Sequence, residues 1–209
     1  MKNILFACAF ILVAGTGFSQ TPIDTYIKEA QAFIAQKNYK QAQLSLQDAI
    51  NEINNILAKQ IAEALPAEIN GLQATGESEV NSAGSVMGMG MQISRSYQHP
   101  SKPENSAEVM IMANSPMLNA LNMYITNPSL MGQGAKSVRV GTKRAVLKSE
   151  MEEFTDDKGA SKQIRVTEIQ VPISQTLFNI KTRGFATEQE ELAFAAKLEM
   201  DKIKDLMGE

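Results

Sequence analysis

The chain has 209 residues, 44% of them hydrophobic, and a formal net charge of −3. That is enough for one good core, and its cations are scattered among acids, so the electropositive face needed for nucleic acid is missing. With one histidine, and its one cysteine, Cys8, inside the N-terminal apolar stretch, the chain beyond that stretch lacks a disulfide framework, a Cys-His catalytic pair and a His/Cys zinc site.

The start, MKNILFACAFILVAGTGFSQ, has a lysine, an apolar run from Ile4 to Ala14, and Gly17 and Ser19 spaced as a signal-peptidase pair. Residues 1–19 therefore read as a removable signal, with a mature start near Gln20 and an exported protein, periplasmic or extracellular. Cys8 lies too early for a lipoprotein signal, because the apolar region would follow the cleavage point. No later segment is long and apolar enough for a transmembrane span, so a soluble, disulfide-free product is expected.

Thr21-Pro22-Ile23-Asp24 is a helix start, with a hydroxyl at the N-cap, proline at the first position and a carboxylate beside free amides. Ile23, Tyr26, Ile27, Ala30, Phe33 and Ile34 then recur at helical spacing up to Lys37-Asn38. A second helix carries Tyr39, Ala42, Leu46, Ala49, Ile50, Ile53, Ile56, Leu57 and Ile61 and stops before Pro66. The spacing resembles a single tetratricopeptide unit, but one copy cannot build the groove of a stacked array. Residues 20–66 thus read as an αα-hairpin whose second helix buries its C-terminal half against a sheet domain at 67–209.

Beyond Pro66 the pattern predicts strands at Leu72–Glu77, Met87–Gln98 and Ala107–Ala113, the last two joined by the turn-rich His99–Asn105. Ser115-Pro116 opens a short helix that Asn127-Pro128 closes. Val138–Gly141 and Arg144–Lys148 read as strands, and acidic Glu150–Asp157 as an exposed connection. Ile164–Ile173 and Thr176–Thr182 form a closing hairpin. Its apolar parity slips between Val166 and Ile169, which predicts a bulge near Thr167-Glu168. Pro172 belongs at an edge or beside the turn. Thr187 with Glu190 caps one C-terminal helix striped by Leu192, Ala195, Ala196, Ile203, Leu206 and Met207.

The order of the Lys-Asn-Tyr hairpin, Leu65-Pro66, the Gly/Met strand into Ser94-Arg95-Ser96-Tyr97, Ser115-Pro116-Met117-Leu118 and Asn127-Pro128 resembles a family of uncharacterised exported bacterial proteins. The sheet with flanking helices is also loosely similar to the PsbP/Mog1-type fold. The resemblance implies architecture and export, and brings no catalytic residue with it.

His99 precedes Pro100 in a turn-like stretch with no nucleophile to serve, so it reads as an exposed side chain. No enzyme and no cofactor is expected. Arg95, with Tyr97, ends an apolar row and either caps the core or marks the polar mouth of a pocket. Arg139 and Lys143 stand in the densest basic stretch, where they either protect a sheet edge or hold an anionic glycan or lipid headgroup. Met87, Met89 and Met91 alternate along a strand, as a half-buried core strand requires and as a thioether site for Cu(I) would also require.

The expectation is an α+β protein: a helical hairpin joined to an antiparallel sheet domain with a short internal helix and a C-terminal helix. Functionally it reads as a non-enzymatic envelope module that binds or scaffolds a protein, or an apolar or anionic envelope ligand. The alternative is Met-based copper handling.

Overall fold

The computed structural model describes residues 21–81, 91–132, 134–156 and 158–209. The expected signal at 1–19, and Met87 and Met89, lie outside them. Two compact units divide within a helix: Met1–Ala49 and Ile50–Glu209.

In the first unit, α1 (Pro22–Ala35) begins at a capping box. The Asp24 amide donates to Thr21 Oγ1 at 3.3 Å and the Thr21 amide donates to Asp24 Oδ2 at 3.2 Å. The hydroxyl of Thr21, and then its amide, hold the Asp24 carboxyl below its ordinary range. The helix closes through Asn38 N to Phe33 O and Lys37 N to Ile34 O, both 2.9 Å, with Lys37 at φ 58. Helix α2 (Tyr39–Ala64) follows at once. This unit buries Ala30, Ala42, Ser45 and Ala49.

In the second unit the rest of α2 leads into β1 (Glu68–Ile69), β2 (Leu72–Asn81), β3 (Gln92–His99) and β4 (Lys102–Ala113). After α3 (Leu118–Thr126) and a 3-10 turn (Pro128–Leu130) come β5 (Ala135–Val140), β6 (Lys143–Thr155), β7 (Ser161–Ile173) and β8 (Thr176–Arg183). Helices α4 (Glu188–Ala196) and α5 (Met200–Leu206) end the chain. All strand pairs are antiparallel, in the order β1-β2-β3-β4-β8-β7-β6-β5. Two meanders are thus joined at their centre by β4 and β8.

Strand alternation sends side chains to two faces. On one, Ile93, Tyr97, Val109, Ile111, Ile169, Phe178 and Ile180 meet Ala58 and Ile61 of α2, Leu65 just beyond it, and Phe194, Leu198 and Ile203 of the last helices. Phe194 is met edge-on by Tyr97, with ring centres 5.5 Å apart, and by Phe185, 5.8 Å apart. On the other face, Leu118, Leu121 and Ile125 of α3 cover Val146 and Leu177. The α+β architecture and the burial of the end of α2 agree with the sequence. Within α2, however, only Ala58 and Ile61 are buried past residue 50, followed by Leu65 just beyond its end, with Leu57 packed at the margin; Ile53 and Ile56 are exposed.

Four local expectations fail. The turn stretch His99–Asn105 is mostly strand, since β4 begins at Lys102 and pairs His99↔Lys102 across a two-residue turn. Acidic Glu150–Thr155 is strand, paired with β7 from Glu150↔Val166 to Thr155↔Ser161. There is no bulge at Thr167-Glu168, since β7 pairs in continuous register with both neighbours. The parity slip has another cause. Ile164 and Val166 are buried on the α3 side, beneath an ion pair that reaches over β7 from Arg183 to Glu152 at 2.8 Å, while Arg165 and Thr167 turn polar groups toward α4. Last, the single C-terminal helix is two, broken at Glu199 with φ 48. The break lets Phe194, Leu198, Met200 and Ile203 all reach the core, which one straight helix would not allow. Pro172 does sit beside the turn, opposite Leu177 and beyond the last β6–β7 pair, Val146↔Gln170.

Candidate binding surfaces

Arg95 and Tyr97 neighbour each other on the helix-covered face of β3, as alternation predicts, and both are committed to the end of α2. Arg95 Nη1 donates to the carbonyls of Ala62 at 2.8 Å and Leu65 at 3.2 Å, two of the acceptors a helix C-terminus leaves open. Tyr97 Oη donates to Pro66 O at 2.9 Å. Burial pushes the phenol up to about 12, against the opposing pull of the Arg95 charge. An open cleft of about 820 Å³ does run past Arg95, bordered by Lys59, Glu63, Gly76, Glu77, Glu199 and Lys202. Its cations and acids balance, and Tyr97 is not among its walls. The pair therefore acts as a clamp on α2.

Arg139 and Lys143 are not one site, because they leave opposite faces of the β5–β6 hairpin. Lys143 lies opposite Val140 on the core side, where its ammonium meets the Asp201 carboxylate at 2.6 Å. Arg139 lies opposite Arg144 on the α3 side, exposed. Five strand boundaries separate Arg139, and four separate Lys143, from Arg95 and Tyr97 on β3.

Met91 is buried in the helix-side core, and its carbonyl accepts from Ala113 N at 3.0 Å. Met112 packs on the α3 side, and Met110, two residues along the strand, shares that face. The sheet thus separates Met91 from the thioethers of β4. Among the described residues no cluster of three His, Cys, Asp or Glu side chains could hold a metal. None of their helices is long and apolar enough to cross a membrane.

A buried polar network was not foreseen. Glu191 is fully buried on α4, and its Oε1 accepts from Arg165 Nε at 2.9 Å and Thr167 Oγ1 at 2.6 Å. Arg165 Nη2 also donates to Ser149 Oγ at 2.7 Å, and Glu188 bridges outward to Lys136 at 2.6 Å. The network fastens α4 to β6 and β7. Its one sequence signal is a pair of polar residues, Arg165 and Thr167, at the alternate positions that precede apolar Ile169, Val171 and Ile173 in β7.

Five large apolar side chains of the first unit are exposed, Ile27 at 40%, Ile34 at 49%, Tyr39 at 66%, Leu44 at 51% and Leu46 at 45%, while Tyr26 and Phe33 are half-buried. Ile27 and Ile34 are two turns apart and share a face of α1.

The fold is α+β with a continuous antiparallel sheet. No family model matches the chain. No curated protein matches it either. A crystal structure from Bacteroides thetaiotaomicron VPI-5482 aligns over 60% of this chain at 12% identity and a TM-score of 0.37. The alignment spans 42% of that protein's length.

Proposed function

We propose that this chain is a non-enzymatic exported envelope module of the family its sequence resembles, and that it docks a protein partner through the helical hairpin. The observation that supports the reading is an inversion of burial. The first unit buries alanines and a serine while Ile27, Ile34, Tyr39 and Leu46 face solvent. A buried methyl contributes little, whereas an isoleucine transferred from water contributes about 1.5–3 kcal/mol, so the hairpin gains most of its apolar burial only when covered. Solvent-facing apolar residues grouped in this way mark interaction surfaces.

A photo-crosslinking side chain placed at position 34 in producing cells is expected to give a discrete adduct with another protein. The same group at exposed Met151 of the sheet unit is expected to give none. Introducing Ile27→Ser should abolish the position-34 adduct while leaving thermal stability unchanged. Absence of an adduct at position 34, or identical adducts at both positions, would defeat the proposal.

A further inference from the structure

The corner where α3 lies over β6 and β7, with Ala135 of β5 at its margin, combines two features that no role above explains. First, Val109 to Ala135 contains no charged residue. Within it, α3 buries Leu118, Leu121 and Ile125 and leaves Met117, Met123 and Tyr124 exposed at 46%, 57% and 38%. Leu130 follows in the 3-10 turn at 53%. A helix that covers a sheet ordinarily turns charged residues outward, and this one turns out methionine and tyrosine beside the uncharged Asn119, Asn122 and Thr126.

Second, Arg139 and Arg144 are directly opposite each other across β5 and β6. Like charges in that position are destabilising. Neither arginine has a carboxylate partner among the described residues, although the neighbouring Lys136, Lys143 and Lys148 are each paired with one. Protection of the sheet edge does not account for both, because Arg144 lies on β6, inside the edge strand. The pairs Ala135↔Lys148, Ser137↔Val146 and Arg139↔Arg144 share one face. Ala135 and Val146 belong to the α3 cluster, and Tyr124 lines a pocket with Ala135, Val146, Lys148 and Glu168. Arg144 is two residues from Val146, about 7 Å along the strand. The guanidinium pair therefore stands next to the apolar surface and on the same side of the sheet.

We infer that this corner is a peripheral contact for a bilayer that carries anionic headgroups. Met117, Met123 and Leu130 enter the boundary between headgroups and acyl chains, Tyr124 takes the amphipathic position aromatic residues favour there, and Arg139 and Arg144 pair with lipid phosphates. Charge complementarity selects this occupant. Arg139 and Arg144 have no carboxylate partner among the described residues, the Val109–Ala135 segment adds none, and Glu168 of the neighbouring pocket stands opposite Lys148. The arrangement is independent of the hairpin and of any partner it docks.

The test is sedimentation of the purified chain with vesicles of phosphatidylcholine alone or with about a third phosphatidylglycerol. Tyr124→Trp supplies a reporter, since the chain has no other tryptophan. Binding should require phosphatidylglycerol, weaken as salt rises, and shift the reporter emission to the blue. Each arginine near an anionic surface is worth about fivefold in affinity, so Arg139→Gln/Arg144→Gln should bind about thirtyfold more weakly. Met123→Ser/Leu130→Ser should abolish the blue shift with an unchanged thermal melt, because both side chains are exposed. Ile27→Ser/Ile34→Ser should leave vesicle binding intact, which separates this inference from the hairpin proposal. No binding to the phosphatidylglycerol vesicles at low salt, equal binding to both compositions, undiminished binding by the arginine variant, or self-association through α3 in place of vesicle binding would each overturn it.

Discussion

Removing one oxygen at Tyr97 should produce a stability change whose sign depends on pH. The residue is 1% exposed, its ring stands edge-on to Phe194, and its hydroxyl donates to Pro66 O at 2.9 Å. Tyr97→Phe keeps the ring and strands the carbonyl, which should cost about 1–2 kcal/mol at pH 8. Burial also raises the phenol in the folded chain to about 12. In the unfolded chain it ionises near its ordinary value of about 10. The folded form thus binds the proton more tightly, so the associated stability is fully present below about pH 10 and is lost as pH rises through about 12. Two pH units correspond to about 2.7 kcal/mol, of which about 1.9 is gone by about pH 11.5. Urea unfolding of both proteins at about pH 8 and pH 11.5 cancels the titrations they share. The wild type should be the more stable at the lower pH, and the Phe variant equal or superior at the higher. A difference that does not change with pH would refute the argument, because the hydroxyl would then be reaching water in the folded state.

Two further predictions concern how the helices are fastened. Glu191→Ala leaves Arg165 without its buried partner and should cost about 3–5 kcal/mol in urea unfolding, whereas Glu191→Gln, which keeps an acceptor for Thr167, should cost less; a loss below 1 kcal/mol for the alanine variant would mean the network is dispensable. Ile61 is fully buried and Ile53 is 42% exposed, so Ile61→Ala should cost about 2–5 kcal/mol and Ile53→Ala less than about 1. Equal losses would mean that α2 buries a different face.

What could be read in advance was whatever a local pattern carries. Thr21-Pro22 and Asp24 announce α1, Pro66 ends α2, and the alternation in Ile169–Ile173 and Thr176–Thr182 gives the β7–β8 hairpin. What was missed depends on groups distant in sequence. The acidic half of β6 looks like a loop until Arg183, two strands away, is seen to neutralise Glu152. The apparent bulge in β7 reflects a carboxylate on α4, which no periodicity in β7 contains. Among the candidate site residues, the place of Arg95 at the end of an apolar row was legible, while its acceptors were not, being carbonyls 30 and 33 positions earlier. Arg144 became meaningful only once the register set it against Arg139.

The central pairing of β4 with β8 also bears on how the chain emerges from the ribosome. β4 carries Val109, Ile111 and Met112, and one of its two edges is closed by β3 as soon as that hairpin forms. The other edge must wait for β8, whose partners lie about 70 positions later, a separation that makes this contact one of the slow ones to close. At the translation rates typical of cells, about 5–20 residues per second, that edge stays open for several seconds. During that interval an apolar strand with unpaired amides and carbonyls is the segment most prone to pair with another nascent copy. Holdase chaperones and slow-codon effects should therefore matter most between synthesis of Ala113 and synthesis of Arg183.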